Sequence, residues 1–195
     1  MIPQIHLRRG KEESLLRRHP WIFSGAIESV RYDGNEIPEG ALVDVYTRSG
    51  DFIARGHYQI GSIAVRVLSF CRETIDQEWW NRRIAVAHDV RRTLGLTDNP
   101  DTNCYRLVHG EGDALPGLVV DIYGTAAVVQ CHSVGMYHAR MEIAAAVSFA
   151  HVANGFERIE CIHIHRCALG EADLVGEGEK VCHKQCLLTM KFISA

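Results

Sequence analysis

Alternating and β-branched positions dominate the first third of the chain and predict a sheet. Four short segments have this pattern, at residues 4–8, 42–46, 52–56 and 63–70, and residues 21–30 are predicted to begin as a loop and enter a fifth strand. Good helix formers at 11–18 predict one short helix, which Pro20 ends. Ser49-Gly50 is a hairpin signal because glycine adopts the positive φ that such a turn needs. Five strands and one helix in about 70 residues predict a compact β-barrel-like module.

A helical pattern begins after Asp76, which is a good N-cap, and Gly95 ends it. Apolar residues then recur at the three-and-four spacing of an amphipathic helix: Trp80, Ile84, Ala87, Val90 and Leu94. Three strands separated by turns follow at 105–109, 118–123 and 126–131, and their closeness predicts an antiparallel meander. A helix at 136–152 and strands at 158–166 and 181–193 complete the prediction. The fold class is therefore α+β, a β-barrel-like module followed by a small α/β module with an antiparallel sheet.

Composition limits the class of protein. With 47% hydrophobic residues the chain has enough apolar material for real cores. Its apolar runs are short and interrupted by charge, and the first residues lack a leader pattern, so we expect a soluble, cytoplasmic protein without a membrane partner. Seven scattered cysteines, an odd number, are best interpreted as reduced thiols.

Positive charge is concentrated near the start of the chain. Residues 1–72 carry ten Lys/Arg against eight Asp/Glu, whereas the remaining 123 residues carry eleven against sixteen. Cations neutralise phosphates, and neighbouring aromatic rings stack on unpaired bases. The candidates for RNA contact are Arg8, Arg9, Lys11, Arg17, Arg18, His19, Trp21, Phe23 and Ser24. The alternatives are a solvated helix face for the charges and a core position for both rings.

A glycine-rich segment at 110–117 superficially resembles a nucleotide-binding loop. Such a loop needs a helix N-terminus after it, but a strand is predicted at 118–123, so a structural turn is favoured. Its residues are Gly110, Glu111, Gly112, Asp113, Pro116 and Gly117. In the alternative, His109, Glu111 and Asp113 share one face of an extended segment, where they bind metal or move protons. We expect no catalytic residue in this chain.

Cysteine and histidine alternate near the end of the chain. The candidates for a zinc site are Cys161, His163, His165, Cys167, Cys182 and Cys186, with His183 beside them. Their spacing lacks the compact pair of strong zinc motifs, and residues two apart in a strand lie near 7 Å from each other. A half-buried strand with incidental thiols is the favoured interpretation, and no metal is expected.

Ordered motifs over about 125 residues resemble the PUA-domain-containing, S-adenosylmethionine (SAM)-dependent rRNA methyltransferases, which include 23S rRNA cytosine-5 methyltransferases. The resemblance is carried by residues 7–27 (LRRGKEESLLRRHPWIFSGAI), 40–46 (GALVDVY), 50–56 (GDFIARG), 63–69 (IAVRVLS) and 105–121 (YRLVHGEGDALPGLVVD). It weakens near Ile162, where IHIHRCA replaces the family's Lys-Ser-Glu-type segment.

The resemblance implies a PUA RNA-binding domain at 1–72 and a central α/β domain at 73–195, degenerate or truncated after about 161. Family members continue into a Rossmann-like domain that binds SAM and supplies a catalytic cysteine. We expect that domain to be missing, so the chain would hold no cofactor and position rRNA without catalysing methyl transfer. The resemblance implies that the missing methyltransferase domain is a partner of this chain. It also makes a homodimer reasonable. The alternatives are a stand-alone PUA RNA-binding or regulatory protein and a metal-stabilised interaction module.

Overall fold

The computed structural model describes residues 2–34, 36–97 and 99–153, and the strands Cys161–Cys167 and Gln185–Lys191, in which Ile162 and Ile164 are buried. The chain divides into two compact units. The first comprises Met1–Thr74 with Val134–Met136, and the second comprises Ile75–Ser133 with Tyr137–Ala195. The structure is thus a mixed α/β fold with one sheet in each unit.

A curled sheet of six strands forms the first unit within the described residues. The strands are β1 (Gln4–Leu7), β2 (Trp21–Phe23), β3 (Ile27–Arg31), β4 (Leu42–Tyr46), β5 (Phe52–Tyr58) and β6 (Ile63–Ser69). Their order is β2-β6-β5-β4-β1-β3, with β1 parallel to β4 and the other neighbours antiparallel. The predicted strands and the hairpin at Ser49-Gly50 are confirmed, except that residues 21–30, predicted as a loop leading into one strand, begin with the strand β2 and reach β3 only after a 3₁₀ turn at Ser24–Ala26.

The predicted helix at 11–18 is shorter than expected, since α1 spans Glu13–Leu16. Arg18 adopts a φ of 64°, a left-handed conformation that cannot continue a helix. Leu15 is 1% exposed and anchors α1 to the core of the first unit. That core is formed by Ile5, Leu7, Leu15, Ile22, Ile37, Val43, Val45, Ala54, Val65 and Val67. The buried side of α1 therefore packs on a well-packed sheet, and its other side is exposed.

An ion pair links two central strands of the first unit. Asp44 of β4 and Arg55 of β5 are register partners, and their side chains meet at 2.7 and 3.1 Å. Hydrogen bonding to Asp44 raises the pKa of Arg55 above its usual value. Arg55 also donates to the backbone carbonyl of Glu73. The pair thereby satisfies two buried charges and fixes the β4–β5 register.

The second unit begins with α2 (Gln77–Thr93), whose N-cap Asp76 accepts the Trp79 N–H at 2.9 Å as predicted. Its sheet has five strands within the described residues, in the order β11-β10-β9-β8-β7. The remaining elements are β7 (Cys104–His109), β8 (Leu118–Tyr123), β9 (Ala126–Cys131), α3 (Val134–His138), α4 (Arg140–Ala153), β10 (Cys161–Cys167) and β11 (Gln185–Lys191). Part of α3, Val134–Met136, groups with the first unit.

Strands β7, β8 and β9 form the antiparallel meander that the sequence predicted. The prediction of a wholly antiparallel sheet is wrong, because β10 lies parallel to β9, with Ile162 opposite Ala127. Helical segments α3 and α4 connect these two strands, and such a crossover returns the chain in the same direction. β11 then pairs antiparallel with β10. The sheet is mixed.

No helix in the described ranges is both long enough and apolar enough to cross a membrane.

Candidate nucleic-acid interface

The basic stretch lies at a corner of the first unit formed by the turn after β1, by α1 and by β2. Gly10 turns the chain with a φ of 79°, and the Lys11 N–H donates to the Arg8 carbonyl at 3.0 Å. The Arg8 N–H donates to the Ala26 carbonyl, which holds the turn against the loop after β2. The five basic candidates are all exposed: Arg8, Arg9, Lys11, Arg17 and Arg18.

These cations differ in whether their side chains interact with other groups of the protein. Arg8 donates from Nε to the Ile27 carbonyl at 3.1 Å, and the Arg18 guanidinium lies 4.8 Å from the centre of the Phe70 ring. Within the described residues, the side chains of three others form no hydrogen bond or ion pair: Arg9, Lys11 and Arg17. Those three charges are available to an anionic ligand.

Three aromatic side chains form a cluster beside the cations. His19 packs edge-to-face on Trp21, with ring centroids 5.8 Å apart, and its ring centre is 6.5 Å from that of Phe23. His19 Nδ1 lies 3.2 Å from both the backbone nitrogen and the carbonyl oxygen of Trp21. Phe23 is 49% exposed, so the alternative that both rings belong to the core is wrong for this residue. Trp21 is half-buried.

A cavity of about 320 Å³ opens between α1 and β2, and we call it the aromatic pocket. It is lined by Lys11, Ser14, Leu15, Trp21, Ile22, Phe23, Gly25 and Ala26, none of which is acidic. Three of the nine predicted RNA contacts are therefore brought together here: Lys11, Trp21 and Phe23. Ser24 is exposed but does not line the pocket, and its backbone N–H donates to the Ser62 carbonyl.

A second, more open cavity of about 540 Å³ is lined by Arg9, Glu12, Arg48 and Ser49, and we call it the arginine cleft. Arg48 lies 3.6 Å from Glu28, and both side chains are substantially exposed. Sequence reasoning treated the segment at 49–50 only as a hairpin turn and missed Arg48. No local pattern identifies this residue, because only the folded chain brings the β4–β5 turn beside Arg9.

The glycine-rich segment forms a 3₁₀ turn at Gly110–Asp113 between β7 and β8. Gly110 has a φ of 51° and Gly117 a φ of 86°, so both supply backbone angles that L side chains resist. Because the chain turns at Gly110, the alternative of an extended segment with His109, Glu111 and Asp113 on one face is wrong. Asp113 is instead bound to Arg91 at 2.5 and 2.7 Å.

The family resemblance implies the cofactor SAM, and this glycine-rich turn is the segment of the second unit that superficially resembles a nucleotide-binding loop. Strand β8 follows the turn, so the turn does not lead into a helix N-terminus. Asp113 is occupied by Arg91. The described residues of this turn do not fit the cofactor.

The zinc candidates fall outside what the structure describes, because the side chains of Cys161, His163, His165, Cys167, Cys182 and Cys186 are not among the described ones. Among the side chains that are described, no group of three or more His, Cys, Asp or Glu is arranged to hold a metal ion.

Comparisons with known proteins bear on both units. Residues 5–70 match the family model of the PUA-like domain. Ribosomal RNA large subunit methyltransferase I of Klebsiella pneumoniae is 40% identical over 149 residues, which cover 75% of this chain and 36% of that protein. The Aeromonas hydrophila protein of the same name is 43% identical over 137 residues, 69% of this chain and 33% of that protein.

Two solved structures share the fold at 20% identity. A putative SAM-dependent methyltransferase from Streptococcus mutans matches 85% of this chain and 41% of its own with a TM-score of 0.67. A putative methyltransferase complexed with S-adenosylhomocysteine (SAH) matches 85% of this chain and 40% of its own, also with a TM-score of 0.67.

The curled sheet and the family match define the first unit as a PUA-like domain. Over the matched residues, the chain is similar to these PUA-containing ribosomal RNA large subunit methyltransferases. It spans about a third of the length of these curated relatives, at 36% and 33%.

Proposed function

We propose that this chain is the RNA-binding, rRNA-positioning part of a SAM-dependent rRNA methyltransferase. Residues 1–72 bind the RNA as a PUA domain, and residues 73–195 form a central domain that supports the catalytic domain. In this proposal, methyl transfer and SAM binding belong to a catalytic domain other than these two, and this part alone is inactive.

The observation that carries the proposal is the corner at α1 and β2. Three cations without partners among the described residues, Arg9, Lys11 and Arg17, are exposed at this corner of a PUA-like domain, and Lys11 lines the same pocket as the exposed Phe23 ring. Cations without internal partners bind phosphates at little cost, because no existing ion pair has to break. Exposed rings give unpaired bases a surface to stack on.

The charge distribution supports the same division of labour. Residues 73–195 carry sixteen Asp/Glu against eleven Lys/Arg, a balance that disfavours a phosphate backbone. The names of the relatives supply the class of RNA, since the curated ones are rRNA large subunit methyltransferases. We therefore assign RNA binding to the first unit and a supporting role to the second.

The test is the double variant Arg17→Ala/Arg18→Ala, measured against a structured rRNA fragment over a range of salt concentrations. Each lost phosphate contact should reduce the slope of log affinity against log salt by about 0.7 to 0.9. Affinity should fall by several-fold or more at low salt. Arg17 is the cleaner probe, because Arg18 also covers Phe70.

The matched control is Arg82→Ala/Arg92→Ala, which removes two exposed arginines from α2 in the second unit. It should leave affinity and salt slope close to those of the parent protein. An unchanged slope in the Arg17/Arg18 variant, with its circular dichroism intact, would remove the assignment of this corner to RNA.

A further inference from the structure

We propose that one RNA strand occupies two adjacent subsites on the first unit, a nucleobase in the aromatic pocket and a neighbouring phosphate in the arginine cleft. The inference rests on the proposed function and deepens it, because it names what each cavity binds. Residues 9–15 form the ridge between the cavities, with Lys11 lining the first and Arg9 the second.

The aromatic pocket has the chemistry of a base subsite. Its volume of about 320 Å³ is at the lower limit of ligand pockets, roughly 300 Å³, so it suits a small flat group such as one base. Trp21 and Phe23 supply rings, Leu15 and Ile22 supply apolar surface, and Lys11 is the single formally charged residue in its lining. The flat face of a base favours such walls.

Gly25 lines this pocket and is the position where a larger side chain is expected to reduce its volume. A Cβ built on Gly25 meets no atom within 4 Å, so this wall faces open space. The φ of Gly25 is not in the positive region, and a larger residue is therefore not strained there. A side chain at this position should fill the pocket without disturbing the sheet below.

The arginine cleft suits a phosphate and not a base. Arg9 and Arg48 both line it, and guanidinium groups match a phosphate in geometry and charge. Glu12 also lines it, and Glu28 pairs with Arg48 at 3.6 Å. That pair is exposed and therefore weak, so a phosphate can displace the Glu28 carboxylate from Arg48.

The two cavities are close enough for one strand. Arg9 and Lys11 are two residues apart, so their Cα atoms are separated by at most about 7 Å. Neighbouring nucleotides of one extended strand can cover such a distance. The strand would cross the ridge, with its base on the Lys11 side and its next phosphate on the Arg9 side.

The base subsite is tested with Gly25→Leu. A short fluorescent oligouridine is the probe, and inorganic polyphosphate, which has the charge of a nucleic-acid backbone but no base, is the competitor. We expect the variant to bind oligouridine about tenfold more weakly and polyphosphate as the parent does. Equal weakening for both ligands, or no weakening, would overturn the base subsite. Phe23→Leu, which keeps apolar bulk but removes the ring, should reproduce the selective loss.

The phosphate subsite is tested with Arg48→Ala and Glu28→Gln. Arg48→Ala should weaken both ligands and reduce the single-strand salt slope by about 0.7. Glu28→Gln should strengthen both ligands, because it releases Arg48, and this gain should vanish when Arg48→Ala is also present. The control is Arg31→Ala, an exposed arginine of β3 that lines neither cavity. The subsite is wrong if Arg48→Ala behaves like Arg31→Ala.

The outcomes separate this inference from the proposed function. If the parent protein binds a structured rRNA fragment but neither set of variants changes oligouridine binding as described, the two subsites are wrong and RNA binding stands. If the parent protein binds neither the rRNA fragment nor oligouridine, the proposed function fails, and the subsites fail with it.

Discussion

Asp113 is the residue that fixes the turn between β7 and β8. Its carboxylate accepts from both terminal nitrogens of Arg91, at 2.5 and 2.7 Å, and from the His109 backbone N–H at 2.5 Å. The Arg91 and Asp113 side chains are only 10% and 8% exposed. Arg91 also donates from Nε to the Arg106 carbonyl at 2.9 Å, which ties α2 to β7. Loss of the carboxylate would leave a buried guanidinium without its counterion.

We therefore predict that Asp113→Ala lowers the free energy of unfolding by about 3 kcal/mol, the usual cost of breaking a buried pair from one side. A turn cap alone would cost about 1 kcal/mol. RNA affinity of the folded variant should stay close to that of the parent, because Asp113 lies in the second unit and the proposed RNA surface in the first. Urea unfolding and RNA titration provide the two measurements.

Glu111→Ala is the matched control for this prediction, since Glu111 is an exposed carboxylate of the same turn. It should change the free energy of unfolding by no more than about 0.5 kcal/mol. If Asp113→Ala melts like the parent yet loses RNA binding, the turn contributes to recognition and its structural assignment is wrong.

Single residues show what a sequence pattern can and cannot give. The turn at 110–117 was predictable from its glycines, and Asp76 from its place before a helical period, because these signals are local. The partner of Asp113 was not, since Arg91 lies on α2, far away in sequence, and any of several arginines could have filled that role. Arg48 could not be predicted for the same reason, since Arg9, which lines the same cleft, is also far away in sequence.

At the scale of elements, α2 and α4 pack on each other and bury two histidines between them. His88 is fully buried and His151 is 6% exposed, with ring centroids 6.3 Å apart. Burial, and secondarily the neighbouring His88, lower the pKa of His151 below its ordinary value of 6.5. The folded state therefore keeps His151 neutral at a pH where the unfolded chain has begun to bind a proton.

This pair predicts a loss of stability in mild acid. A lowered folded-state pKa means that the full stability is present above pH 6.5 and is lost as the pH falls towards the pKa of folded His151. Urea midpoints should decrease from pH 7.5 to pH 5.5, and His151→Gln should make that decrease smaller. His138→Gln, at an exposed histidine of α3, should preserve it. An equal decrease in parent and His151→Gln would contradict the prediction.

Element types were largely predictable, while their pairing was less so. Alternation and helical spacing located the strands and helices of both units, because each reports a local periodicity. They did not show that β10 runs parallel to β9, since the return direction depends on how α3 and α4 pack. Nor did they shorten α1, where a left-handed φ at Arg18 overrides good helix formers.

At the scale of the whole chain, the charge asymmetry and the ordered motifs indicated the organisation better than any single site did. The expected resemblance is confirmed by the PUA-like match over 5–70 and by relatives 40% and 43% identical. The nine RNA-contact candidates remain a prediction, and the structure gathers only Lys11, Trp21 and Phe23 around one cavity. A stretch of sequence shows which residues are neighbours along the chain, whereas only the folded structure shows which of them line the same pocket.

The last prediction concerns the cofactor. A SAM site needs a pocket in which backbone N–H groups or a carboxylate contact the ligand. A glycine-rich turn supplies such N–H groups only where a helix follows it. Here β8 follows the turn and Arg91 occupies Asp113. We expect calorimetry of this chain with SAM to show no stoichiometric binding at micromolar concentrations. The putative methyltransferase that was solved with SAH is the positive control. A one-to-one micromolar isotherm would place a cofactor site within these 195 residues and contradict the assignment of SAM binding to another domain.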